Sequence, residues 1–461
     1  MMQITTYFDF EPTVEQIQAF EGFQQFIGTD DTDLAYILVG AAGTGKTTLM
    51  KAFIRFLKKQ KIEFHLAAPT GRAARILEKR TGEATSTIHN LLYTVEEEED
   101  STGNTSKIRF VRRSQSDDED PKVIIIDEAS MISNELDQNN FMVSEKPLLE
   151  DLVEHFKKLH PENKLVFVGD KFQLPPVGSE HSTALSSDAL LELFDLKTHL
   201  YELSEVKRQE ENSVVLASAN ILRSAMESGT APSRLKYELL ENEDEAVQKY
   251  LSLFDINNID AVALIGWRNE DVYRFNLQVR KQLFGDDADL LHAGDLIIVN
   301  RTYMSEDELF LANGEFGVIK SISKFEELAG LNFATAEIEF ENAQGRAYRH
   351  KSKILLDTLM NPMARVDYEK SKALYGERIR KNKHFRKRKD KRFDSYLNAL
   401  HVKYGYAITC HKAQGGEWEE VIIHPIVPPR MNSDHSRWLY TAITRAKKML
   451  YSFKKTSYNN K

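Results

Sequence analysis

The chain has 461 residues, 41% hydrophobic and 28% charged, a globular composition that suits roughly two to four domains with ample buried core. Its formal charge of −9 argues mildly against a generally basic nucleic-acid binder but leaves room for a local basic channel in an acidic body. The one cysteine, Cys410, excludes an internal disulfide framework and a Cys-based zinc site. With no secretory leader in MMQITTYFDFEPT and no window of membrane-spanning length, the expectation is a cytoplasmic protein with no membrane partner.

Thr13 opens a helical pattern in which Val14, Ile17, Phe20, Phe23 and Phe26 recur on one face. Gln16 completes a capping box with Thr13, or its amide, able to donate and accept at once, reads an adenine edge; both readings stay open. An apolar run, Ala35 to Val39, then leads into GAAGTGKTT (Gly40, Ala41, Ala42, Gly43, Thr44, Gly45, Lys46, Thr47, Thr48) and a helix from Leu49 to Lys58. That strand–loop–helix context is what a phosphate-binding loop requires. Its glycines let backbone N–H groups turn onto phosphates at the positive end of a helix. Lys46 would reach the β- and γ-phosphates, and the Thr47 hydroxyl would ligate Mg²⁺.

Phe64 to Ala68 reads as a strand ending in Pro69-Thr70-Gly71, followed by an Arg-bearing helix, Arg72 to Arg80. Ala84 to His89 is rich in small hydroxyls, which suit phosphate oxygens or an ordinary helix cap at Thr85 or Ser86. Residues 93–120 hold an acidic arm, a Gly103-Asn104 turn and a basic arm. The favoured reading is a protruding β-hairpin with cross-strand ion pairs, the alternative a disordered insert. Val123 to Ile126 is a buried-type strand ending in Asp127-Glu128. Beside a phosphate loop Asp127 would hold Mg²⁺ and Glu128 would polarise the attacking water. Leu165 to Val168 repeats the pattern and leads to Gln173, a neutral amide able to sense the γ-phosphate, or a turn residue before Pro175-Pro176. Leu200 to Leu203 is a last strand before Arg208, a candidate γ-phosphate contact.

A second α/β unit starts near Ser213: a helix to Glu227, a strand from Ala261 to Gly266, a helix from Asp271 to Leu283. From His292 the pattern changes to short strands (Asp295 to Val299, Gly317 to Ile322, Thr335 to Phe340, Ala347 to His350), with Asn313-Gly314 the strongest turn signal; these read as a small inserted antiparallel barrel. Arg378 to Arg392 is helical and holds ten Lys/Arg, either a solvated charged face or a track for a polyanionic backbone. The α/β pattern returns with a strand from Tyr404 to Thr409, the loop Cys410-His411-Lys412-Ala413-Gln414-Gly415-Gly416, a strand from Val421 to Ile426, and a helix from Trp438 to Met449 carrying Thr441, Thr444 and Arg445. A nucleophilic role for Cys410 is rejected, since no third orienting residue is in view and a buried strand-end thiol is inert. His411 reads as a contact to a ligand backbone rather than a structural histidine.

The ordered set GAAGTGKTT, APTGRAA, ATSTIH, IIIDEAS, VGDKFQLPPV, VKRQ, TCHKAQG and YTAITRAKK resembles the motifs of superfamily 1 DNA helicases, in forms similar to the RecD-like and phage Dda-type branch that moves 5′ to 3′. The resemblance spans Thr13 to about Lys448. It implies an α/β fold of two RecA-like P-loop NTPase domains (1–92 with 121–203, and 204–285 with 396–461), a β-hairpin pin at 93–120, and a small β-barrel accessory domain with the basic helical segment at 286–395. It further implies ATP and Mg²⁺ in a cleft shared by the two domains, with Gln16 at the adenine, Gly415 among the nucleotide contacts, and Gln173 as γ-phosphate sensor. Arg208 and Arg445 match finger arginines, a device worth about 10³ to 10⁵ in related phosphoryl transfer. Pro69, Thr70, Thr87, His89, Thr409 and His411 match positions lining the single-strand path, so a monomeric motor on single-stranded DNA and at forks is implied. One departure stands out: Ser101 to Ser106 has no aromatic, whereas the phage-type pin uses one, which weakens the case for strand separation but not for translocation. Rival readings are a nucleic-acid-stimulated NTPase with little unwinding, an RNA-preferring helicase, and a non-motor NTPase; an Asn-Lys-x-Asp guanine reader is missing from the sequence.

Overall fold

The structure is a computed structural model that describes residues 4–32, 34–99, 106–112, 122–136, 142–143, 146–160, 162–176, 178–205, 213–307, 309–342, 345–425 and 433–454. Two compact units result, Met1–Glu211 and Asn212–Lys461.

In the first unit, helix α1 (Val14–Gly28) precedes β1 (Leu34–Gly40), α2 (Lys46–Gln60), β2 (Glu63–Ala68), α3 (Gly71–Thr81), β3 (Thr85–Thr87) and α4 (Ile88–Leu92). There follow β4 (Tyr93–Glu99), β5 (Ser106–Arg112), β6 (Lys122–Ile126), β7 (Met142–Val143), α5 (Leu148–Leu159), β8 (Lys164–Gly169), α6 (Ser187–Phe194) and β9 (Lys197–Leu203). Six strands form one sheet in the order β3-β2-β6-β8-β1-β9, every neighbouring pair parallel. β1 is buried at every position, as a strand covered by helices on both faces must be. One face packs on the aromatic stripe of α1: Phe23 stacks on Phe53 of α2 at 4.0 Å and meets Tyr36 of β1 edge-on. The opposite face buries Ile124, Ile126, Leu152, Phe156 and Leu190.

β4 and β5 pair antiparallel, with Glu96 opposite Arg109 and Glu98 opposite Lys107 in the register; β7 lies parallel to β5. The turn expected at 101–105 and the acidic cluster at 117–120 lie outside the described residues. The helix cap expected at Thr85 or Ser86 falls instead at Thr87, whose Oγ1 accepts from the Asn90 N–H at 3.2 Å. Thr85 and Ser86 are spent on β3, an edge strand too short to read from sequence.

The second unit begins with α7 (Val214–Ser228), β10 (Glu238–Leu240), α8 (Glu243–Leu253), β11 (Val262–Gly266) and α9 (Asn269–Phe284). An insertion follows: β12 (Leu296–Val299), β13 (Tyr303–Met304), β14 (Phe310–Leu311), β15 (Phe316–Leu328), β16 (Leu331–Glu341), β17 (Ala347–Leu355), α10 (Tyr368–Lys381) and α11 (Lys383–Arg388). The chain returns through β18 (Val402–Tyr404), β19 (Ala407–Thr409), α12 (Cys410–Ala413), β20 (Trp418–Ile423), α13 (Ser433–Ile443) and β21 (Ala446–Phe453). β10-β21-β20-β11-β19 form a second all-parallel sheet. The insertion is an antiparallel sheet, β17-β16-β15-β12-β18. Its edges approach where Leu400 donates to the Lys353 carbonyl at 2.8 Å and accepts from the Leu355 N–H at 3.0 Å.

Three expectations need correction. The strand expected over 317–322 runs on to Leu328, because the hairpin turns at Ala329-Gly330, both with positive φ (55° and 74°), and Ala-Gly carries no Asn/Asp turn signature. The strand expected from Tyr404 to Thr409 is two strands in different sheets, divided at Gly405-Tyr406. A Cβ on Gly405 would lie 3.1 to 3.2 Å from Leu296, Ile297 and Phe316. The helix expected from Trp438 to Met449 stops at Ile443, and Ala446 onward joins β20 in the sheet.

Candidate functional site

Parallel strands deliver their carboxyl ends to one edge of a sheet. The order β2-β6-β8-β1 therefore sets Pro69-Thr70, Asp127-Glu128, Gly169 to Gln173, and the Gly40–Thr48 loop side by side on the first unit.

The glycine loop is held open by backbone shape. Gly43 and Gly45 have φ of 85° and 86°. A Cβ on Gly40 would come within 2.6 Å of Thr44 Oγ1, and one on Gly45 within 2.6 Å of Gln16 Nε2. Thr44 Oγ1 donates to the Ala41 carbonyl at 2.9 Å, closing the turn. Gly45 caps α2 with no side-chain hydrogen bond, so the first turn of that helix presents its N–H groups to an anion. Lys46 Nζ donates to the Gly40 and Ala41 carbonyls at 2.7 and 3.0 Å. Thr47 is half-buried and Thr48 exposed on the same turn, and Ala42 is half-buried in the loop.

Gln16 forms the capping box and also touches the glycine loop. The capping box with Thr13 is present (3.0 and 3.1 Å), and Nε2 also reaches the Thr44 carbonyl at 3.3 Å. The helix cap thus places the amide against the glycine loop.

The Asp127 N–H donates to the Ala67 carbonyl at 3.0 Å, tying the end of β6 to β2. Asp127 Oδ1 accepts from the Glu128 N–H at 3.0 Å, and Glu128 sits at φ 52°, a left-handed conformation costly for a residue with a Cβ. Burial and the neighbouring Glu128 push the Asp127 carboxyl up to about 6, against the pull of Lys46 and Arg80. A carboxylate so placed gains from a hard cation.

Gln173 is 5% exposed, and its Oε1 has no hydrogen-bond partner among the described residues. Ser130 Oγ, also buried, has none either. The two follow adjacent strands, β8 and β6, and a Cβ on Gly169 would lie 3.2 Å from the Ser130 N–H position. Unsatisfied buried acceptors in a well-packed protein mark a place for a polar ligand or water. These residues fit a triphosphate and its cation. Sequence reasoning missed Ser130, although its place two residues after the Asp-Glu pair was a usable signal.

Thr70 Oγ1 caps α3 by accepting from the Ala73 N–H at 3.2 Å, and Thr87 caps α4. Each hydroxyl keeps its own proton to donate. His89, half-buried, has its ring 5.9 Å from that of Tyr93.

In the second unit, Thr409 ends β19 half-buried and His411 is exposed on α12. Gly415, with φ 71°, turns the loop so that the Gly416 carbonyl accepts from Arg445 Nη1 at 3.2 Å. Arg445 is 4% exposed and also donates to the Thr441 carbonyl and Thr444 Oγ1 at 3.0 and 3.2 Å. These bonds fix the direction of the guanidinium. Arg208 lies outside the described residues. The Cys410 thiol is buried, donates to the Trp438 carbonyl at 3.5 Å, and burial pushes it up, so it is inert. Sequence reasoning also passed over Lys412, whose Nζ donates to Asn300 Oδ1 at 2.6 Å.

The chain is similar to several known proteins. Residues 14–237 match an AAA domain family and residues 404–451 the UvrD-like helicase C-terminal domain. The ATP-dependent RecD2 DNA helicase of Deinococcus radiodurans is 24% identical over 90% of this chain and 46% of its own length. The ATP-dependent DNA helicase dda of Enterobacteria phage T4 is 28% identical over 60% of each. The chain spans about half the length of the curated relatives it matches. Bacteroides Pif1, solved bound to single-stranded DNA, shares the fold at a TM-score of 0.50 and 17% identity, over 96% of this chain and 92% of that one. Over residues 14–237 and 404–451 the chain is thus similar to an AAA domain family and to UvrD-like helicase C-terminal domains, and over most of its length to ATP-dependent DNA helicases.

Proposed function

We propose that the chain is an ATP-dependent DNA helicase that translocates on single-stranded DNA 5′ to 3′ and unwinds duplex. The observation that carries this reading is the meeting, on one sheet edge, of the Lys46 loop, the Asp127–Glu128 pair and Gln173, whose Oε1 has no partner among the described residues. The relatives named for ATP-dependent DNA unwinding supply the nucleic acid; the site supplies the fuel chemistry.

In this reading Lys46 leaves the Gly40 and Ala41 carbonyls for the β- and γ-phosphates, and Gln16 turns its amide to the adenine. The nucleotide contacts extend over Gly40 to Thr48 and to Gly415. Thr47 and Asp127 would hold Mg²⁺, whose chemistry is to neutralise charge on the phosphate oxygens. Glu128 takes the proton of the attacking water, Gln173 orients it, and Arg208 and Arg445 stabilise the charge that develops on the transferred group. Pro69, Thr70, Thr87 and His89 of the first unit, and Thr409 and His411 of the second, grip the sugar–phosphate backbone. The two parallel-sheet units are read as RecA-like domains, the β4–β5 arms as a pin and the inserted sheet as a small barrel. The motor is read as a monomer acting in the cytoplasm.

The test is ATP hydrolysis with and without single-stranded DNA, then strand displacement from duplexes bearing only a 5′ or only a 3′ tail. Stimulation of at least tenfold, and displacement only from the 5′-tailed substrate, are expected. Hydrolysis indifferent to DNA would refute the reading, and displacement from 3′ tails alone would reverse the polarity.

A further inference from the structure

The basic run 378–392 takes no part in the nucleotide site or the strand-facing loops. Some of its charge is neutralised internally: Arg378 pairs with Asp394 at 2.8 Å, Lys381 with Glu377 at 2.6 Å, and Arg392 with Asp390 at 2.7 Å. Arg380, Lys383, Arg386 and Lys387 are exposed and have no carboxylate partner among the described residues.

These cations are presented on a built surface. Phe385 is fully buried against Tyr375, ring centroids 5.4 Å apart. Asn382 caps α11 through Oδ1 (3.1 Å to the Phe385 N–H), while its Nδ2 bonds the Phe393 carbonyl and Asp394 at 2.9 and 2.8 Å. Fold stability alone does not account for the pattern. Arg386 to Arg388 end α11, where the helix dipole favours cations, but Lys383 begins it, where the dipole opposes one. Rigidly holding exposed like charges together costs repulsion that a bound polyanion would relieve.

The patch is continuous with the strand-facing loop of the same unit. Arg392 and Asn398 contact Met304 of β13 (3.5 and 2.9 Å). Burial, with repulsion from Arg301 and Lys391, holds the His401 imidazole below its usual range. The Asn300 N–H donates to the His401 carbonyl at 2.8 Å, and Asn300 Oδ1 receives Lys412, next to His411, with Lys403 close by.

We propose that a nucleic-acid backbone passes from the Thr409–His411 loop along Arg301 and Lys391 to α10–α11, and that α11 grips the phosphates of duplex DNA. The duplex is favoured over a single strand because the large rings beside these cations are withdrawn from base stacking. Phe385 is buried, Arg388 covers Phe393 at 4.0 Å and Arg378 covers Tyr396 at 4.8 Å, while Tyr368 at the start of α10 and His384 of α11 are exposed. A cationic surface with few stacking platforms reads backbone more than bases. The inference rests on the DNA-motor reading.

The test uses the full chain with Arg380→Gln, Lys383→Gln, Arg386→Gln and Lys387→Gln combined, and fluorescence anisotropy on a blunt duplex and on a single-stranded oligonucleotide across a salt series. The variant should bind duplex at least tenfold more weakly. Its salt slope should fall by about 3 to 4, near 0.9 per phosphate contact, while DNA-stimulated hydrolysis stays as in the parent. Arg380→Lys with Arg386→Lys keeps the charge and should bind like the parent, which separates charge from folding. Unchanged duplex affinity in the Gln variant overturns the proposal, as does parent protein that binds polyglutamate but not duplex. Hydrolysis indifferent to DNA in the parent would instead defeat the motor reading and leave the duplex measurement to stand alone.

Discussion

Gln16 and Thr44 are joined by a hydrogen bond of 3.3 Å from the amide Nε2 to the loop carbonyl, while the Gln16 Oε1 accepts from the Thr13 N–H. One side chain therefore serves as a helix cap and as a brace on the glycine loop. Gln16→Ala should lose the reciprocal half of the capping box and the brace, lowering stability by about 1 kcal/mol in urea unfolding. The KM for ATP should rise several-fold, with kcat little changed. A stability loss without any change in KM would leave the residue a cap alone.

Lys46 donates to carbonyls of its own loop, so the fold depends little on it. Lys46→Ala should keep the parent's thermal midpoint within a few degrees, lower kcat for hydrolysis at least a hundredfold and abolish strand displacement, with single-strand binding retained. Displacement that survives the substitution would refute the assignment of the loop.

Asp127 has its folded-state pKa raised from 3.8 to about 6 by burial and Glu128. Between those values the folded state binds a proton that the unfolded state has released. This group's contribution to stability therefore falls as pH rises through that window, and its penalty is complete above it. Asp127→Asn should raise the thermal midpoint of the nucleotide-free protein at pH 7.5 while stopping hydrolysis. The difference from the parent should shrink toward pH 4.5 in a calorimetric series. A midpoint gap independent of pH would contradict this account.

Arg280 and Asp295 are both fully buried and bond at 2.8 and 2.9 Å, with Tyr406 donating to the same carboxylate at 3.0 Å and Tyr404 lying 3.9 Å from the guanidinium. The pair ties α9 to the start of the inserted sheet, and both tyrosines lie where the chain leaves it. Arg280→Met strands a buried carboxylate and should cost about 3 to 5 kcal/mol in urea unfolding. Arg280→Met with Asp295→Leu should cost less than the single change. A single substitution milder than the double would show the pair is not coupled.

Local chemistry made much of this molecule legible in its sequence. The glycine loop is readable because only glycine tolerates its positive φ, and β1 and β6 because a strand covered on both faces must be apolar throughout. Asp127-Glu128 stood out because paired carboxylates after such a strand have no cheap structural use. Other features were settled only by contacts between residues far apart in the chain. Gly405 divides β18 from β19 because β12 and Phe316 press on it, and Ala446 leaves the helical pattern because β20 offers it a sheet edge. The buried Oε1 of Gln173, the brace from Gln16 to Thr44 and the buried Arg280–Asp295 pair are likewise products of packing. A sequence pattern records what each residue prefers along its own strand or helix. Which partner it meets across the core is decided by how those elements close on one another.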